Sequence, residues 1–185
     1  ANTASQPRSV ANAKTGALDI RALVLLAILL AAGFILNFTV GRAISGVSGG
    51  LISPEFIISA FCLTILIVRP NIPQALIVGL ISAAVIQITT TSPFIDFAAE
   101  GIAAMLMAAI VNATMGKRDS AAVAAVATFV TTLVSGVIFM VIKMAMIGVV
   151  AQLAAAMLPV VAATAVFNAI LVGALYVPIK AALDK

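Results

Sequence analysis

Asp96 and Glu100 stand four residues apart; Ser135, Phe139 and Lys143 repeat that interval twice, and Thr164 and Asn168 repeat it once more. An interval of four places side chains on one face of a helix, so each set forms a stripe. Together the stripes offer carboxylates, an ammonium, hydroxyls, an amide and an aromatic ring. Gln87 adds a second amide, Arg42 a guanidinium, and Phe97 a ring beside Asp96. Such a set suits a small zwitterion with an apolar body. Glu100 or Asp96 would pair with its ammonium and Lys143 or Arg42 with its carboxylate. Asn168, Ser135 and Gln87 would supply hydrogen bonds, and Phe97 and Phe139 the aromatic contact. Little catalytic chemistry remains. Histidine is absent and Cys62 is the single cysteine, which excludes His-dependent catalysis, disulfides and Cys/His metal sites. Gly116-Lys117 is followed by Arg118 and lacks the preceding glycine of a phosphate-binding loop. The chain is expected to be no enzyme and to carry no cofactor of its own.

The elements that must position these groups follow from composition. Of 185 residues, 64% are hydrophobic and 9% charged, against about 45–50% and about 25% in soluble domains. A soluble domain of this size leaves too much chain facing water to hide that apolar surface. The reading is an all-α integral membrane protein. At ~20 residues per crossing, it holds about six transmembrane helices in one domain over residues 21–182, after a polar, disordered cytoplasmic tail over residues 1–20.

The first helix is predicted from Arg21 to Val40, followed by a Gly- and Ser-rich loop, Gly41 to Ser53, flexible enough to cover a site. Ser53, Pro54 and Glu55 read as the capped start of a second helix to residue 68. A tight turn, Arg69-Pro70-Asn71-Ile72-Pro73, precedes a third helix over 73–90. Thr89-Thr90-Thr91-Ser92-Pro93 opens a fourth from Phe94 to Met115, and the polar turn 116–120 opens a fifth over 121–147. A connection carrying Gln152 then leads to Pro159, where the sixth begins, ending near Lys180.

With the N-terminus inside, Arg8, Lys14, Arg21, Arg69, Lys117, Arg118, Lys180 and Lys185 fall on the cytoplasmic side and only Arg42 and Lys143 outside. That asymmetry sets both termini in the cytoplasm. The polar stripes then share one depth below the outer surface, which implies a common cavity. The basic residues form no cluster, so nucleic acid is no partner. Plainer roles stand beside the functional ones. Glu55 reads as an acid at a helix N-terminus, Asp96 also suits a cap or a surface acid, and Lys143 also suits a side chain reaching the headgroups. Glu100 and Asn168 also suit interhelical hydrogen bonds, and Asn112, Thr128, Thr131 and Thr132 read as packing groups.

Several short motifs in order carry a resemblance. They are Pro54-Glu55, Arg69-Pro70-Asn71, Thr89-Thr90-Thr91-Ser92-Pro93, Ser135-Gly136-Val137-Ile138-Phe139, Leu158-Pro159 with Asn168, and Tyr176-Val177-Pro178. With Ala27-x-x-x-Ala31 in the first helix, the chain over residues 20–180 resembles the substrate-binding membrane subunit (S component) of energy-coupling factor (ECF) transporters, more narrowly the tryptophan transporter family of these subunits. The resemblance implies capture of tryptophan or a related aromatic amino acid or derivative from outside. It also implies docking on a transmembrane coupling (T) component through Ala27 and Ala31, and two cytosolic ATPases that hydrolyse the ATP. The location implied is the cytoplasmic membrane of a bacterium or archaeon, with lipid around a multi-pass chain. Alternatives are a vitamin-specific S component, an ion-coupled secondary transporter or small exporter acting as a dimer, and an assembly subunit that binds no ligand. The halves lack matching Gly/Pro breaks, which speaks against an inverted-repeat carrier.

Overall fold

The computed structural model describes residues 18–50, 53–116, 119–148 and 151–183, and among them every regular element is helical. Helix α1 (Ile20–Leu36) starts at Asp19, whose carboxylate accepts a hydrogen bond from the Ala22 amide at 2.8 Å. It buries Ala22, Leu26, Leu30 and Gly33, one helical stripe, against the bundle. A π-helical turn, Asn37–Gly41, carries it without a break into α2 (Arg42–Val47). The loop expected over 41–53 is therefore helical as far as Val47. Glycine costs a helix about 1 kcal/mol, whereas an unsatisfied backbone group in hydrocarbon costs several, so the helical bonds prevail. What remains is a turn at Gly49 and Gly50, with φ of 63° and 81°; Leu51 and Ile52 lie outside the described residues.

Helix α3 (Phe56–Val68) is buried along its whole length from Phe56 to Leu66, as befits a segment apolar on every side. Its start differs from the expectation. Neither Ser53 nor Glu55 caps it; the Phe56 amide instead donates to Asn37 Oδ1 from the π turn at 2.8 Å. It ends at Arg69 in the left-handed conformation, φ 53°. Helix α4 (Ile72–Ile86) opens with a reciprocal capping box between Asn71 and Gln74 and stops at Ile86, short of the expected Thr90. Helix α5 (Ile95–Thr114) starts after Phe94, also left-handed at φ 70°, and no side chain caps it. Ser120 caps α6 (Ala121–Ile147) through the Val123 amide.

Helix α7 (Ala151–Leu183) contains Pro159 instead of beginning there, and it passes Pro178 as well. Proline is tolerated inside a membrane helix because neighbouring groups satisfy the freed carbonyls. Val149 and Val150, the rest of the expected connection, lie outside the described residues.

Among the described residues, four helices are long and apolar enough to cross a membrane: the continuous Ile20–Val47, α5, α6 and α7; α3 and α4 are apolar but shorter. Their outer faces are aliphatic, with Ile28, Val126 and Ile170 more than 60% exposed, a surface suited to lipid. The described residues are all-helical, and four helices of this length and composition suit a multi-pass membrane protein. Helices α1 and α5 pack around α3, α4 lies on α5, and α6 on α5 and α7. At one end, Asp119 accepts hydrogen bonds from Arg69 Nη2 at 2.8 Å, from Tyr176 Oη at 2.6 Å and from Lys180 Nζ. Lys117 and Arg118, expected in the same turn, lie outside the described residues, as do Arg8, Lys14 and Lys185.

Candidate functional site

A cavity of about 360 Å³ opens at the other end, between the π turn, the start of α3, the α4–α5 turn, and the middle of α6 and α7. Three carboxyl groups line it: Glu55, Asp96 and Glu100. Helical spacing brings Asp96 and Glu100 to it from successive turns of α5, and Ser135 and Phe139 from successive turns of α6.

Glu100 is 3% exposed. Its Oε1 accepts a hydrogen bond from Ser135 Oγ at 2.9 Å, while Oε2 is buried without a partner. Its depth is set from behind. A Cβ added at Gly79 would sit 2.5 Å from the Glu100 carbonyl oxygen, so only glycine lets α4 come this close to α5. Asp96, 5% exposed, accepts from Gln87 Nε2 at 3.1 Å. The Gln87 Oε1 meanwhile accepts from the Phe94 amide at 2.9 Å. Gln87 thus clasps the turn and holds Asp96, and it is not part of the cavity wall.

Glu55 accepts from Asn37 Nδ2 at 3.3 Å, and Asn37 Oδ1 caps α3. One amide therefore both starts a helix and turns a carboxyl inward. Thr164 closes the far wall by donating to the Ser53 carbonyl at 2.8 Å.

The remaining predicted residues lie elsewhere. Asn168 is fully buried one layer back, donating to Thr132 Oγ1 at 3.4 Å, and it is Thr132 that lines the cavity. Lys143 is half-buried and outside the wall, its Nζ 5.5 Å from the Phe139 ring centroid. Arg42 is exposed, its guanidinium 3.9 Å from the Phe38 ring centroid. It borders an adjoining pocket of about 260 Å³ that shares Asn37, Ser53, Glu55 and Thr89 with the first. Phe97 is half-buried and touches neither pocket. Ala27 and Ala31 lie on the exposed face of α1, opposite the stripe that packs inward.

Glu55, Asn37 and Thr132 were missed as site residues. The available signal was Asn37, a polar amide in an otherwise aliphatic helix, which a membrane segment does not carry cheaply.

No Lys or Arg lies among the described residues of the main wall; beside the carboxyls it presents hydroxyls, among them those of Thr90, Thr91 and Thr132, and an apolar surface from Ile58, Phe139, Met157, Val160 and Val161. Among the described residues no three His, Cys, Asp or Glu converge to hold a metal ion. The arrangement can hold a compact solute with an apolar body and a group that donates to carboxylates. No family model matches the chain, and neither a curated protein nor a solved structure matches it.

Proposed function

We propose that the chain is the substrate-capture subunit of an ATP-driven importer of the energy-coupling factor type, taking an aromatic, amine-bearing solute such as tryptophan or a derivative. The observation that carries the reading is the cavity lined by Glu55, Asp96 and Glu100 at one end of an otherwise apolar bundle. In a membrane protein, buried ionisable groups around a cavity are the default mark of a solute site.

In this reading the chain crosses the bilayer six times, with α3 and α4 as short central crossings. The Arg69–Asp119–Lys180 cluster faces the cytoplasm and the cavity faces outward. Arg42 and Lys143 stay on the cavity side, which is the distribution the positive-inside rule favours. The exposed Ala27 and Ala31 leave a close-packing strip on α1 for the T component, and two cytosolic ATPases hydrolyse the nucleotide.

The test is reconstitution. The chain should co-purify with a T component and an ATPase pair, and uptake into vesicles should require ATP and all partners. Uptake driven by an ion gradient, with the chain alone, would replace the proposal with a secondary carrier.

A further inference from the structure

We infer that the cavity selects a protonated organic amine that carries no carboxylate, an amphipathic cation and not an amino acid. The inference rests on the capture reading above and narrows its ligand from tryptophan itself to a derivative that lacks the carboxylate.

Charge is the first argument. Glu55, Asp96 and Glu100 all line the cavity, and no Lys or Arg does among the described residues. The two cations at this end stay off the wall: Lys143 sits beside the ring of Phe139, and Arg42 stacks on Phe38 at the adjoining pocket, which shares Glu55 with the cavity. A ligand carboxylate would enter a site of its own sign with no countercharge on the wall.

Hydrogen-bond supply is the second argument and is independent of net charge. An anion needs donors, and three on the wall are committed to oxygens of the protein, while the hydroxyls of Thr90, Thr91 and Thr132 also line it. Ser135 Oγ donates to Glu100, Asn37 Nδ2 to Glu55, and Thr164 Oγ1 to the Ser53 carbonyl. An acceptor, in contrast, lacks a partner. Glu100 Oε2 is buried with no partner, in a residue only 3% exposed that lines the cavity. A carboxylate oxygen in that position is costly until a donor reaches it, and an ammonium supplies both the N–H and the opposite charge.

The same geometry separates an organic cation from a metal ion. The carboxyls of the described residues do not converge into a metal-holding group, whereas Phe139, Met157 and Val161 provide a wall for an apolar body.

Three probes sharing one ring system read this directly: tryptamine (ammonium only), tryptophan (both charges) and indole-3-propionate (carboxylate only). The chain has no tryptophan, so indole fluorescence reports the probe without background from the chain in detergent micelles. Tryptamine should bind at least about tenfold more tightly than tryptophan, and indole-3-propionate should not bind. Glu100→Gln should weaken tryptamine by about tenfold or more, and Glu100→Asp, which keeps the charge, should weaken it less. Monodisperse size-exclusion profiles establish that the variants fold, and Glu55→Gln provides a second acid should Glu100→Gln fail that check. Tryptophan binding as tightly as tryptamine, or no binding of either amine, overturns the inference. The first result leaves the capture reading intact and the second also removes its aromatic solute, whereas the capture role itself stands or falls on co-assembly with the coupling partners and ATP-dependent uptake.

Discussion

Ser135 Oγ donates to Glu100 Oε1 at 2.9 Å across the α5–α6 interface, and among the described residues this bond alone anchors a carboxyl whose second oxygen is unpartnered. The pair fixes where the negative end of the cavity sits. Removing the hydroxyl leaves the whole carboxyl without a donor, a loss of about 1–3 kcal/mol for a buried polar group. Ser135→Ala should therefore lower the thermal unfolding temperature in detergent. In Glu100→Leu, where no carboxyl needs the bond, the same change should cost far less. Equal costs in the two backgrounds, read from the double-mutant cycle, would show that the bond does not couple the residues.

Asn37 holds two partners at once, the Phe56 amide and the Glu55 carboxyl. Asn37→Ala removes a helix cap and a carboxyl's partner together, each worth about 1 kcal/mol. Asn37→Asp keeps the cap acceptor but sets a second acid against Glu55. Its stability should recover when Glu55→Gln is added, whereas Asn37→Ala should gain little from that addition. Calorimetric melting of the four variants decides the matter.

The parts of this arrangement that were legible in the sequence are those governed by helical periodicity. Asp96 with Glu100, and Ser135 with Phe139, reach one cavity because residues four apart share a helix face. Glu55 was not legible in that way. Its position after Pro54 suits an N-terminal acid, and only Asn37, eighteen residues earlier, turns it inward. Lys143 keeps the predicted interval from Phe139, but periodicity specifies a face and not where a long side chain ends; its ammonium remains beside the ring. The helix ends at Val47 and Ala151 were hidden for a related reason. Glycine and proline terminate helices where water can satisfy the backbone, and in lipid that alternative is absent.

Gly79 sets how closely α4 approaches the Glu100 backbone. A methyl group there would sit 2.5 Å from the Glu100 carbonyl oxygen and 2.8 Å from the Ala104 Cβ. Backbone cannot swing aside as a side-chain end can, so Gly79→Ala should cost about 1–3 kcal/mol of stability and weaken amine binding by displacing Glu100. Gly46, with nothing within 4 Å of its added Cβ, is the matched control: Gly46→Ala should leave probe affinity unchanged and raise stability by up to about 1 kcal/mol, since the position is helical. Melting temperature and probe affinity measured on the pair separate close packing from a general effect of alanine.

At the opposite end, acid should undo what Asp119 ties together. Hydrogen bonds from Lys180 and Tyr176, with the Lys180 and Arg69 charges nearby, hold its carboxyl below the usual aspartate range. A carboxyl whose folded pKa lies below its unfolded one, about 3.9, contributes fully above the unfolded value. That contribution is lost as pH falls through the folded one. Detergent-solubilised protein should thus lose stability on the acid side, and Asp119→Asn, which cannot titrate, should flatten that limb while lowering stability at neutral pH. The cluster is about one-third exposed, so screening keeps the effect small and raised salt should shrink it further. An acid limb as steep in Asp119→Asn as in the parent would assign it to other carboxyls and remove Asp119 from the acid dependence.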